Sequence, residues 1–103
     1  MSVESESAPE RLDLFIAPLG EPAVRHAAVI ARDLRRSGHS VELAEGKLTR
    51  VMELANKLGA RFALIVGENE MAAGGYALKN MDTGEQESLT LEEVAARLAA
   101  ARN

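Results

Sequence analysis

The sequence predicts an α/β fold: a parallel sheet with helices on both faces, extended at one edge by a hairpin. Three observations carry that prediction. Residues 62–66, Phe-Ala-Leu-Ile-Val, form an unbroken apolar run of strand length, and residues 12–17 form a second one interrupted only by Asp13. A strand without a polar face is covered on both sides, as in parallel sheets. The segments between these strands carry apolar residues at helical spacing, giving the order β-α-β-α-β. Beyond the second run, residues 76–81 read as another strand, and Asp82-Thr83-Gly84 reads as a hairpin turn in which Gly84 supplies a positive φ.

Taken in order, the first strand ends at Pro18-Leu19-Gly20, and Glu21-Pro22 opens a helix. Proline suits a first helical turn, and an acidic residue there complements the helix dipole. Val24, Ala27, Ala28, Ala31 and Leu34 give this helix its apolar stripe, and Gly38 stands where a C-terminal cap belongs. His26 lies off that stripe and reads as an exposed side chain, with no second histidine at metal-ligand spacing. Residues 39–43 alternate as an edge strand with one wet face does. Leu48, Val51, Met52, Ala55 and Leu58 form a second helical stripe, stopped by Gly59. After the hairpin, Thr90 and Glu93 have the spacing of a capping box, and Leu91, Val94, Ala95, Leu98 and Ala99 form the buried face of a closing helix.

Right-handed crossovers and the polar character of the second strand predict strand order 2-1-3, extended by the hairpin strands beyond strand three, with the first two helices on opposite faces. The core is expected to include Phe15, Val24, Leu34, Leu48, Met52, Phe62, Ile65 and Leu98. In such sheets ligands bind at the carboxyl ends of the strands, beside the point where the order reverses. Those ends are Pro18-Leu19-Gly20, residues 44–47, and Gly67-Glu68-Asn69-Glu70, read as a turn carrying two carboxylates.

Composition narrows the function. At 103 residues with 47% apolar content, the chain has room for one core. It contains no cysteine, which excludes a disulfide framework and thiolate metal sites and fits a reducing cytoplasm. No apolar run is long enough to cross a membrane, and residues 1–10 lack the features of a signal peptide. That acidic lead-in reads as a disordered linker, 1–11, ahead of a domain at 12–103. The net charge of −4 argues against a strongly basic nucleic-acid binder. Between Arg25 and Arg61, however, eight basic residues stand against four acidic ones, net +4, leaving −8 elsewhere. This pattern fits either a solvated helical surface or a local phosphate-facing patch.

No catalytic constellation is present. There is no glycine-rich dinucleotide or phosphate loop, no Gly-x-Ser-x-Gly, no His-x-x-x-His and no cysteine nucleophile, and Glu68 and Glu70 have no partnering histidine. Binding is the better reading. With Phe15 and Phe62 committed to strands, only Tyr76 is left as an aromatic platform, so a nucleic-acid contact would rest on polar edges and phosphates.

At Gly67-Glu68-Asn69-Glu70, Lys79 and Thr83-Gly84-Glu85-Gln86 the sequence resembles the anticodon-binding domains of class II aminoacyl-tRNA synthetases, histidyl-tRNA synthetase most closely. The resemblance runs through Pro18-Leu19-Gly20-Glu21, Leu34-Arg35-Arg36-Ser37-Gly38 and Ala55-Asn56-Lys57-Leu58-Gly59-Ala60-Arg61-Phe62. It implies a three-layer α/β/α domain, with a five-stranded mixed sheet in the order 2-1-3-4-5 and three helices. Such a domain recognises a tRNA anticodon on behalf of a catalytic domain absent from this chain, in a cytoplasmic and homodimeric parent, without a cofactor or metal of its own. Carried over by position, the contacts fall on Glu70 near the strand-three turn and Lys79 on the next strand. Glu45, Lys47 and Arg50 add support from the start of the second helix, and Glu68 stands beside Glu70. The second helix departs from the family in carrying Thr49 and Glu53 where basic residues are usual. The competing readings are a free-standing or paralogous relative acting as a regulatory or protein-interaction module, and a small flavodoxin-like ligand-binding module using the same crevice.

Overall fold

Two opposite faces of one sheet organise the chain, and alternate residues of its central strands define them. The computed structural model describes residues 12–102, so the linker expected at 1–11 lies outside the described residues. The elements are β1 (Leu14–Pro18), α1 (Glu21–Arg36), β2 (Val41–Leu43), α2 (Leu48–Lys57), β3 (Phe62–Val66), α3 (Glu68–Ala73), β4 (Tyr76–Asn80), β5 (Gln86–Leu89) and α4 (Leu91–Arg102). The sheet has the expected order β2-β1-β3-β4-β5. β1 runs parallel to β2 and β3, while β4 and β5 are antiparallel additions.

On one face, Leu14, Ile16, Phe62, Leu64 and Val66 pack with residues of α1 and α4 into the larger core cluster. On the other, Phe15 and Ala17 meet Val51 and Ala55 of α2 in a smaller one. Helices α1 and α2 therefore cover opposite faces, as the crossover argument required. Of the expected core residues, Phe15, Leu34, Phe62 and Leu98 are buried and Val24, Met52 and Ile65 half-buried, while Leu48 is exposed at 37%. The α1 stripe sits one residue away from the expected one: Ala23, Ala27, Ile30, Ala31 and Leu34 are buried and Ala28 is exposed. With four alanines available in this helix, apolarity alone did not fix its rotation about its axis.

Among the described residues there are four helices, not three. The turn expected at residues 67–70 is the start of α3. Glu68 and Glu70 in its first turn complement the helix dipole, Met71-Ala72-Ala73 are good helix formers, and Gly74 ends it in the left-handed conformation at φ 74°. The hairpin turn has the expected geometry, with Gly84 at φ 82° and Asn80 Oδ1 accepting from the amides of Asp82 and Thr83. The capping box of α4 also forms: Glu93 Oε1 accepts from the Thr90 amide at 2.8 Å and Thr90 Oγ1 from the Glu93 amide at 3.2 Å.

This architecture leaves one part of the sheet uncovered. Among the described residues helix α2 is alone on its side and lies over β1, so β3, β4 and β5 carry a strip of that face with Ile65, Ala77 and Lys79 half-buried and Gln86 and Ser88 exposed.

Candidate functional site

The uncovered strip is read from strand register. Ala63 pairs with Lys79 and Ile65 with Ala77 across β3 and β4, while Lys79 pairs with Gln86 and Ala77 with Ser88 across β4 and β5. Directly paired residues project to the same face, so these side chains all stand on the α2 side. Gly67 continues the alternation of Ala63 and Ile65. A Cβ on Gly67 would lie 2.5 Å from Glu70 Oε1 and 3.7 Å from Leu19 Cδ1. The Glu70 carboxylate thus folds back from α3 onto the same face, directly over Gly67. The residue before α3 is Gly67, which has no side chain with which to cap the helix.

Glu70 and Lys79 therefore mark two ends of one strip. Ala63 and Gly67 are four residues apart, about 13 Å at the rise of a strand. Between them, Ile65 and Ala77 form a small, half-open apolar shelf. Alongside runs a groove of about 600 Å³ between α2 and the β4–β5 hairpin, where Thr49, Met52, Glu53 and Asn56 of α2 face Lys79, Met81 and Gly84. A planar ring with two adjacent donors fits this arrangement: a carboxylate accepts both, the shelf supports the ring, and the ammonium meets an acceptor or a phosphate.

The remaining candidates are placed elsewhere. Glu45 and Arg50 line a second groove of about 400 Å³ on the far side of α2, together with Lys57. Glu45 also borders a crevice of about 380 Å³ with Glu21 and Arg25 at the start of α1. Lys47 stands exposed as the residue before α2, and Glu68 exposed as the first residue of α3. The structure thus brings Glu70 and Lys79 onto one surface and Glu45 and Arg50 onto another, with α2 between them. Thr49 and Glu53, which the sequence places on an exposed helix side, line the groove opposite Lys79. The sequence assigns Ile65 to the core and gives Ala77, Met81 and Asn56 no site role, although period-two alternation counted back from Lys79 assigns Ala77 and its partner to this face.

Two other expectations are corrected. Tyr76 is not a platform on this surface: it is 4% exposed and belongs to the core on the α1 side. His26 is part-buried, with Nε2 2.6 Å from the Tyr76 hydroxyl. The basic window is also less free than its charge suggests. Arg35 donates twice to the Val41 carbonyl, at 3.0 and 2.6 Å, and Arg61 lies 3.9 Å from Asp13. Among the described residues no cluster of three or more His, Asp or Glu could hold a metal, and no helix is long and apolar enough to cross a membrane.

Residues 13–101 match the family described as the anticodon binding domain. The chain belongs to that family. It is 71% identical over its whole length to the histidine–tRNA ligase of Solibacter usitatus (strain Ellin6076), covering 25% of that protein. The crystal structure of apo S. aureus histidyl-tRNA synthetase superimposes with a TM-score of 0.81 at 33% identity, over 86% of this chain and 23% of that one. The RNA binding domain of threonyl-tRNA synthetase from Cryptosporidium parvum Iowa II, at 24% identity and a TM-score of 0.78, covers 85% of this chain and 23% of its own and shares the fold. This anticodon-binding domain thus spans about a quarter of the length of the ligases it matches.

Proposed function

We propose that this anticodon-binding domain binds the anticodon loop of a histidine tRNA on the α2 face of its sheet, as one unit, residues 12–103, of a histidine–tRNA ligase. A histidine anticodon contains two guanines, whose N1 and N2 hydrogens are the paired donors that a carboxylate accepts. One observation carries the reading: the Glu70 carboxylate rests on the same face as Lys79, with the Ile65–Ala77 shelf between them. In this reading Glu70 accepts from a guanine edge and Lys79 meets an acceptor or phosphate. Arg50 and Lys47, with Glu45 beside them, follow the backbone along α2, and Glu68 borders the base site. ATP-dependent aminoacylation belongs to a catalytic domain outside this chain, in a homodimeric, cytoplasmic parent.

The test is a titration of the domain with a histidine tRNA and with the same tRNA altered at one anticodon guanine, comparing the native protein with Glu70→Gln. The native domain is expected to prefer the unaltered tRNA. The variant is expected to lose about 1–3 kcal/mol of that preference, with folding nearly untouched. Equal binding of both tRNAs by the native domain overturns the reading. That result would favour a protein partner, for which the exposed Leu48 and Leu54 of α2 and Leu58 just beyond it offer apolar surface.

A further inference from the structure

We infer that the hydrogen bond between Tyr76 and His26 holds α3 in place and so positions the Glu70 carboxylate for reading a guanine edge. The inference rests on the function proposed above. Helix α3 has little of its own to hold it: six residues, none of them buried, with no side-chain capping hydrogen bond. Its one apolar anchor is Met71, partly buried against the larger core. The chain leaves α3 through Gly74 and Gly75, which contribute no side chain to packing, so the first buried side chain after the helix is Tyr76.

Tyr76 is held from several directions. Its ring lies in the core between α1 and the sheet, its backbone pairs in register with Leu89, and its hydroxyl is 2.6 Å from His26 Nε2 in the second turn of α1. The two rings stack with centroids 5.7 Å apart and planes 22° from parallel. Burial pushes the phenol above its ordinary value, so the hydroxyl keeps its proton through the neutral range. At its two ends helix α3 is held first by the end of β3 at Gly67 and second by the Tyr76–His26 pair, with Met71 its apolar contact between them. Weakening the second lets the helix pivot about the first, which is where the Glu70 carboxylate rests. A hydrogen bond weakens steeply with misalignment, and a bidentate one needs two alignments at once. The pair stands on the α1 face, whereas Glu70 and Lys79 stand on the α2 face. Substitutions at Tyr76 or His26 thus remove no side chain from the proposed ligand surface.

The experiment measures the affinity ratio for an anticodon stem-loop RNA carrying the histidine anticodon against one with a single guanine replaced. It compares the native domain with Glu70→Gln, Tyr76→Phe, His26→Ala and His26→Gln, and follows amide hydrogen exchange across residues 68–75. Tyr76→Phe and His26→Ala are expected to lower the ratio by about 2- to 10-fold, the worth of one hydrogen bond, and to speed exchange in α3. His26→Gln, which keeps a hydrogen-bonding group at that position, is expected to restore part of both. Adding Tyr76→Phe to Glu70→Gln is expected to cost no further discrimination, because both act on one contact. If Glu70→Gln loses discrimination while Tyr76→Phe and His26→Ala keep the native ratio, the positioning role is wrong and the anticodon reading stands. If the native domain does not discriminate, both fall. Should Tyr76→Phe fail to fold, the two His26 variants decide the question alone.

Discussion

Gly67 shows how a single hydrogen atom can decide a site. Its backbone is extended, φ −120°, so the position has no conformational need for glycine. The need is spatial, because a Cβ there would stand 2.5 Å from Glu70 Oε1. Gly67→Ala is therefore expected to fold with a nearly native melting temperature while displacing the carboxylate, since the obstructing atom is the end of a flexible side chain. Anticodon discrimination should fall by about 1–3 kcal/mol, the same range as for Glu70→Gln, in a comparison of matched and altered tRNAs. Native discrimination in the alanine variant would show that the carboxylate's resting place is irrelevant. Lys79 differs in kind. If it meets a phosphate, Lys79→Met should weaken matched and altered tRNAs alike and lower the slope of log affinity against log salt by about one. Selective loss for one anticodon would assign Lys79 to a base edge instead.

At the scale of elements, the hairpin and the closing helix depend on each other. β5 has one buried residue, Leu89, and α4 docks beside it with Val94 and Leu98 in the core. Across this junction Arg97 donates to both oxygens of Glu87, Nη2 to Oε1 at 2.8 Å and Nη1 to Oε2. The hydrogen bond from Arg97 holds the Glu87 carboxyl below its ordinary value. A carboxyl lowered in the folded state contributes stability above its unfolded value and loses it as the pH falls through the folded one. Thermal melts between neutral and acid pH should thus show Glu87→Gln to be less stable than native near neutrality, with the difference closing on the acid side. The gap should be small, because both side chains are about half exposed and screened by solvent. A gap that widens on acidification would contradict the pair's assigned role.

The whole molecule is asymmetric about its sheet. The α1 face buries most of the large apolar side chains, including Leu14, Ile16, Leu64 and Leu98, whereas the α2 face is built around Phe15 with small partners such as Ala17, Ala55 and Ala60. Stability accordingly resides on the α1 side and the proposed ligand surface on the other. Leu98→Ala, at a fully buried position of α4, is expected to cost about 2–5 kcal/mol in denaturant unfolding. The sheet-facing strip 63–65 and 77–79 should nevertheless keep its ligand preference in the fraction that remains folded. Loss of discrimination in that folded fraction would mean that coupling between the faces extends beyond the Tyr76–His26 pair to α4.

The sequence alone determined strand order, the opposite placement of α1 and α2, the hairpin turn and the capping box of α4, because each follows from local chemistry or from chirality. Unbroken apolar runs mark covered strands, right-handed crossovers restrict topology, and turn and cap residues act within three or four positions of themselves. Glu70 and Lys79 entered as candidates through the resemblance at Gly-Glu-Asn-Glu and at the lysine before Thr-Gly-Glu-Gln. What only the tertiary structure decided is how faces meet. The rotation of α1 could not be read from a helix rich in alanine, so His26 was assigned to solvent when it in fact meets Tyr76 fifty residues away. The division of the candidate residues between two sides of α2 was hidden as well, since Arg50 and Lys79 are both cations but line different grooves. Among the described residues the open strip exists because one helix covers one half of a face and none covers the other. That is a property of packing between distant segments, and no local pattern of residues encodes it.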